Sequence, residues 1–189
     1  MCISVLEDYL SSYQHHIKSV SAISADSTNH SVCCESERQA YSFDDIIKEV
    51  CDKLDGEVIA SVDAISFYDG WLNLIEFKNS SCAGRKTQFG LKRKFNDTVR
   101  YFERIVLEKP FLDGTDIQIR IILVFNPKNP SGYDDVKNGL NKCAKRLPAD
   151  KYNLKTLSEY CSFLKLCNEF KILYSNEFKE EICQYIPTE

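Results

Sequence analysis

The chain has 189 residues, of which 43% are hydrophobic and 28% charged, and a formal net charge of −4. This length suits one ordinary domain with a full core, the composition is globular and not that of a disordered chain, and no apolar run reaches the length of a membrane span. The opening stretch MCISVLEDYLSSYQHH has neither a basic start nor an unbroken apolar core, so no signal peptide is expected.

Residues 2–18 are predicted to be helical, with Ile3, Leu6 and Leu10 at helical spacing. Residues 21–41 are Ser-rich, lack a clear period and are expected to form a loop. Ser42 begins a helix, because Asp45 three residues on completes a capping-box-like pattern. Phe43, Ile46, Ile47, Val50 and Leu54 form its apolar stripe, and Gly56 is a natural stop. Residues 57–67 and 71–79 are rich in β-branched and aromatic residues and are predicted as strands, the first either one long bent strand or two. Asp69-Gly70 between them is a strong two-residue hairpin turn. A basic helix over 85–108 carries Leu91, Phe95, Val99, Phe102 and Val106 on one stripe. Residues 117–125 (IQIRIILVF) suit a central strand buried on both faces. A Pro/Gly loop spans Asn126 to Gly132, and a helix is expected over 133–146. The tail from 152 reads as a helix, a short strand at Lys171–Tyr174 and a last helix near 177–185. The order is that of a single α/β domain over 1–189, with a mixed sheet flanked by helices.

Nine cysteines occur without a C-x-x-C pair, and the three histidines (His15, His16, His30) are all N-terminal, so no zinc-binding spacing is present. Reduced thiols in a cytoplasmic protein, many of them serving as small core residues, are the expectation. Charge is unevenly spread. Between Lys78 and Pro110 there are nine Lys/Arg and three Asp/Glu, a local +6, which leaves −10 for the rest of the chain. A basic stretch in an acidic protein is either an electrostatic footprint for a polyanion or an ordinary solvated helix face.

The hairpin has a calculable consequence. If Asp69 and Gly70 are the turn, Tyr68 pairs with Trp71, Phe67 with Leu72, Ile65 with Leu74 and Asp63 with Glu76. Lys78, two residues beyond Glu76, falls on the same face. Two carboxylates set opposite each other beside an apolar patch repel unless a cation compensates. Oxygen ligands favour Mg²⁺, or Mn²⁺ in its place. Lys78 would then orient the attacking water or stabilise charge on a phosphate. The carbonyl of Phe77 is a further oxygen donor. The alternative is an exposed strand on which Lys78 merely neutralises two surface acids. The Tyr68–Trp71 pair at the hairpin tip either stabilises the turn, the favoured reading, or stacks on bases.

The segment SVDAISFYDGWLNLIEFKNSS resembles the core of the PD-(D/E)XK nuclease superfamily, and residues 42–126 follow that family's order of helix, three-stranded meander, helix and strand. The resemblance implies a restriction-endonuclease-like mixed sheet, with additional N-terminal and C-terminal (133–189) helical segments around it. It matches Asp63 to the family's metal-binding aspartate, Glu76 to the second acidic ligand and Lys78 to the catalytic lysine. It also suggests an acid on the first helix, Asp45 or else Glu49, although Asp45 has an equal claim as a cap. Gln88 corresponds to a glutamine that some members carry after the lysine, or is simply a helix-start residue. Val62 stands where the name-giving proline would be. The function implied is metal-dependent phosphodiester hydrolysis in nucleic acid, DNA before RNA. Arg85, Lys86, Lys92, Arg93, Lys94 and Arg100 are the candidate phosphate contacts. The alternative is a catalytically inactive relative that binds or inhibits a protein or nucleic-acid partner. The sequence leaves a homodimer open and points to no membrane.

Overall fold

In the computed structural model, which describes residues 2–26, 30–53, 56, 58–79, 85–108, 116–126, 157, 159–161 and 164–187, the chain begins with helix α1 (Cys2–Ser11). The helix expected over 2–18 stops there. The hydroxyls of Ser11 and Ser12 both donate to the carbonyl of Asp8, at 2.8 and 3.1 Å, and such local bonding competes with helix continuation. A 3₁₀ turn (Gln14–His16) leads into strand β1 (Ile17–Ser19). The Ser-rich stretch holds more structure than the loop expected for it. It contains the single-turn helix α2 (Val20–Ile23), capped by the Ser19 hydroxyl, then a ribbon of β2 (Ala25–Asp26) and β3 (Ser31–Val32), then β4 (Gln39–Ser42). Elements of two to four residues are too short to show a hydrophobic period.

Helix α3 (Phe43–Lys53) starts directly after Ser42, whose hydroxyl donates to Asp45. The hairpin β5 (Ala64–Tyr68) and β6 (Trp71–Lys78) follows. Its turn has positive φ at both central residues, 50° at Asp69 and 77° at Gly70, the condition for a type I′ turn and the reason glycine suits the second position. The pairing Tyr68↔Trp71 through Ala64↔Ile75 has the register read from the turn. Helix α4 (Arg85–Tyr101) continues into a π-helical turn (Phe102–Val106), so the predicted extent to 108 is close. Strand β7 (Gln118–Phe125), strand β8 (Glu169–Tyr174), helix α5 (Ser175–Glu181) and a 3₁₀ turn (Ile182–Gln184) complete the described chain. The helix expected at 133–146 lies outside the described residues.

Six strands form one sheet in the order β1-β4-β5-β6-β7-β8. The β1–β4, β4–β5 and β5–β6 pairs are antiparallel, and β6–β7 and β7–β8 are parallel. The fold is therefore α/β with a mixed sheet, and β7 is an interior strand as its apolar run implies. One expectation fails: residues 58–62 are not a strand, and the outer neighbour of β5 is β4, from ahead of α3. The backbone N–H of Val62 is taken by the buried hydroxyl of Thr98 (3.1 Å), and the Ser61 hydroxyl donates to Asp44. This segment is tied to helices on both sides instead of to a ladder.

Alternation along the strands divides the core in two. Ile65, Leu72, Leu74, Ile121 and Leu123 face a cluster built with α1, α3 and α4. Ala64, Ile75, Phe77, Ile122 and Val124 face a second cluster with Cys33, Cys34, Phe178 and Tyr185. On that second face the buried Asn73 donates to the carbonyl of Tyr185 (3.0 Å), and the Ser66 hydroxyl donates to the same oxygen. These bonds pin the C-terminal segment across the sheet. Six cysteines among the described residues are free thiols, four of them buried, consistent with a packing role. No helix among the described residues is long and apolar enough to cross a membrane.

Candidate active site

Glu76 and Lys78 lie near the end of β6, on the face covered by α3 and α4. Asp63 stands one residue before β5, opposite Glu76 by continuation of the hairpin register. Its carbonyl accepts from the N–H of Phe43 at the start of α3 (3.0 Å), and its Oδ2 accepts from the N–H of Phe77 (2.7 Å). The aspartate is thereby fixed by both its backbone and one carboxylate oxygen. Phe77 itself turns its ring to the other face, edge-on to Phe178.

Lys94, from the middle of α4, reaches into this pair. Its Nζ lies 2.9 Å from Asp63 Oδ1 and 3.0 and 2.9 Å from the two oxygens of Glu76. Lys78 Nζ adds a contact to Glu76 Oε1 at 2.6 Å. Glu76 is fully buried, whereas the Lys94 side chain keeps a quarter of its surface exposed. Burial, and then the charge of Asp63, push the Glu76 carboxyl up to about 7, although Lys78 and Lys94 pull the other way. Burial alone would lower Lys94, but Glu76 and then Asp63 outweigh it and raise its pKa. Lys78 is raised likewise, with Glu76 again overcoming burial. The group is a dense charge cluster whose members depend on one another.

A third acid belongs to it. Asp44, in the first turn of α3, is raised by burial despite the Ser61 hydroxyl and Lys94, with Asp63 adding to the rise. Asp44, Ser61, Lys78, Lys86, Arg93 and Lys94 line one cleft of about 490 Å³. Asp45, the expected helix acid, is engaged elsewhere: by Ser42, by Lys18 (2.8 Å) and by Lys48 (3.6 Å). One residue is about 100° around a helix, so the acid held by Ser42 and Lys18 is turned away from the cluster. Glu49 is farther along the same outer side, with His15 and His16.

The basic residues of α4 separate in the same way. Lys86, Arg93 and Lys94 line the cleft. Lys92 instead lies over the Tyr160 ring (4.9 Å to its centre), and Arg100 pairs with Glu103. The side chain of Arg85 lies outside the described residues. Gln88 is buried, 5% exposed, and does not line the cleft. Trp71 is held under the guanidinium of Arg120 (4.1 Å) and sits seven residues, about 23 Å of strand, from Lys78. The hairpin tip is thus remote from the acids. Lys94 and Asp44 were the cluster members not foreseen as such. The signal for Lys94 was its position three residues after Leu91 on the buried stripe, and for Asp44 its place beside the acid that Ser42 engages.

Comparison with protein-family models, curated proteins and solved structures finds no match to this chain.

Proposed function

We propose that this protein is a Mg²⁺- or Mn²⁺-dependent nuclease that hydrolyses phosphodiester bonds, in DNA before RNA, with a restriction-endonuclease-like PD-(D/E)XK core. The observation that carries the reading is the convergence of two carboxylates on one cation position. The Lys94 ammonium is 2.9 Å from both Asp63 and Glu76, with Lys78 alongside. The donors are all carboxylates, the chemistry that suits a hard divalent ion. Asp63 and Glu76 would hold it, with the Phe77 carbonyl as a further donor and Asp44 on the wall of the adjoining cleft. Such an ion supplies Lewis acidity toward a phosphoryl oxygen. Lys78 orients the attacking water or stabilises phosphate charge, and Lys86 and Arg93, on the cleft wall, hold phosphates without reading sequence. The preference for DNA rests on the resemblance alone.

The test is incubation of the full chain with supercoiled plasmid, single-stranded DNA and RNA, in Mg²⁺, Mn²⁺ or EDTA. Metal-dependent cutting that is abolished by Glu76→Ala or Lys78→Ala is expected. In the same assay Asp44→Asn should slow the reaction and Asp45→Asn should not.

One observation favours a second reading, an inactive relative that binds a partner. Lys94 and Lys78 already neutralise Asp63 and the fully buried Glu76 without an added ion. Absence of cutting with either metal, together with nucleic-acid binding that weakens steeply with salt, would support that reading.

A further inference from the structure

His15 and His16 carry no role in the site above. They occupy the 3₁₀ turn after α1, and Glu49 faces them from α3. Neighbouring side chains often diverge, but this turn sets the two rings 4.3 Å apart, with both Nε2 atoms on the same carboxylate oxygen. His15 Nε2 is 2.8 Å and His16 Nε2 2.5 Å from Glu49 Oε2. One ligand atom from each residue lies within 4.8 Å of the others. The second oxygen of Glu49 accepts from Lys53 Nζ at 2.6 Å, which fixes the carboxylate's orientation.

We propose that His15, His16 and Glu49 form a second metal site, one for a borderline divalent transition ion such as Zn²⁺. Two imidazoles and one carboxylate are a recurrent zinc donor set, and imidazole disfavours Mg²⁺. Bonds of about 2.0–2.2 Å in a tetrahedral site put donors roughly 3.3 Å apart. The two rings therefore need to draw back from Oε2 by less than about 1 Å. His15, 58% exposed, leaves the outer side open to a water ligand. Its neighbour His16 borders an open hollow of about 520 Å³, with Lys18, Asp52 and Lys53. Binding through both Nε2 atoms requires neutral rings that carry their proton on Nδ1, so only a ring that starts as imidazolium releases a proton to solvent. The ion would staple the segment after α1 to α3, the helix that presents Asp44. Spacing in the sequence hides this site, because the histidines and the glutamate are brought together only by the fold.

The proposal does not depend on the carboxylate site being active, and its test separates the two. The full chain, in excess Mg²⁺ to occupy other oxygen ligands, is titrated with Co²⁺ and with Zn²⁺ against a chromophoric chelator. One equivalent should bind, and the Co²⁺ form should show visible d–d absorption without a near-ultraviolet sulfur-to-cobalt band. His16→Gln and Glu49→Gln should each lose at least about tenfold in affinity. The exposed His15→Ala provides an independent variant, with circular dichroism as the check on folding. His30→Gln and Asp63→Asn should bind as the wild type does. A sulfur band, or affinity unchanged in all three site variants, or no stoichiometric binding, overturns the proposal.

Discussion

The fully buried Glu76 should make the metal-free protein lose stability as pH rises through neutrality. Its carboxyl titrates at 4.5 when exposed and at about 7 in the fold, where burial is the largest cause and Asp63 the next. Between those values the folded protein holds a proton that the unfolded chain has released, so raising the pH favours unfolding. The contribution is fully present below 4.5 and is lost as pH rises to about 7. At about 1.4 kcal/mol per unit, this interval is worth roughly 3 kcal/mol. Urea unfolding in EDTA at pH 5, 6, 7 and 8, for the wild type and Glu76→Gln, isolates it, because the glutamine does not titrate. Asp44 shifts in the same direction but is common to both proteins. Asp45 and Glu49 are held near 2 and titrate below the window. The wild type should lose stability relative to the variant across the series. Saturating Mg²⁺ should flatten the difference, since an ion bound by Glu76 keeps it ionised. Two parallel pH profiles in EDTA, or a wild type that gains relative to the variant, would refute the placement of Glu76 as a buried, charge-crowded acid.

Lys94→Met should raise Mg²⁺ affinity by roughly five- to tenfold in calorimetry, equivalent to about 1 kcal/mol for loss of a partly exposed competing ion pair. If instead Lys94 completes a metal-free charge cluster, the variant should simply be less stable and still fail to bind the ion. Thr98→Val strands the buried N–H of Val62 and should cost about 1–3 kcal/mol by urea unfolding.

Register was the most legible part of the molecule. Asp69-Gly70 permits essentially one hairpin geometry, and from it the opposition of Asp63 to Glu76 and the alignment of Lys78 follow by counting. The Ser42–Asp45 pair marks the start of α3, and the stripe Leu91–Phe95–Val99–Phe102 set the buried face of α4. What escaped was decided by contacts distant in sequence. β4 joins β5 although α3 lies between them, and no local pattern states which strand is the neighbour. Residues 58–62 have strand-like composition, but Thr98 and Asp44 claim their polar groups. The choice of Asp44 over Asp45 required knowing that Ser42, Lys18 and Lys48 occupy the second acid. The convergence of His15 and His16 on Glu49 depends on where the chain turns after Ser11, a point set by two hydroxyls competing for one carbonyl.

The two lysines explain how a site with this many buried charges coexists with a stable fold. Three acids, Asp44, Asp63 and Glu76, face Lys78 and Lys94, leaving one negative charge in excess if all are ionised. A buried carboxylate with no partner costs several kcal/mol, and removing one partner of a buried pair is more damaging than never having built it. Lys94 supplies the partner, yet its side chain is a quarter exposed and comes from a helix, not from the strand that carries Glu76. Lys78 is exposed to the same extent but touches only Glu76, on its own strand, whereas Lys94 bridges Glu76 and Asp63. A divalent ion arriving between Asp63 and Glu76 would therefore have to displace Lys94, which occupies that position, and could leave Lys78 beside Glu76. On this arrangement Lys94 would neutralise the acids while no ion is bound, and Lys78 would be the cation left beside Glu76 if one were.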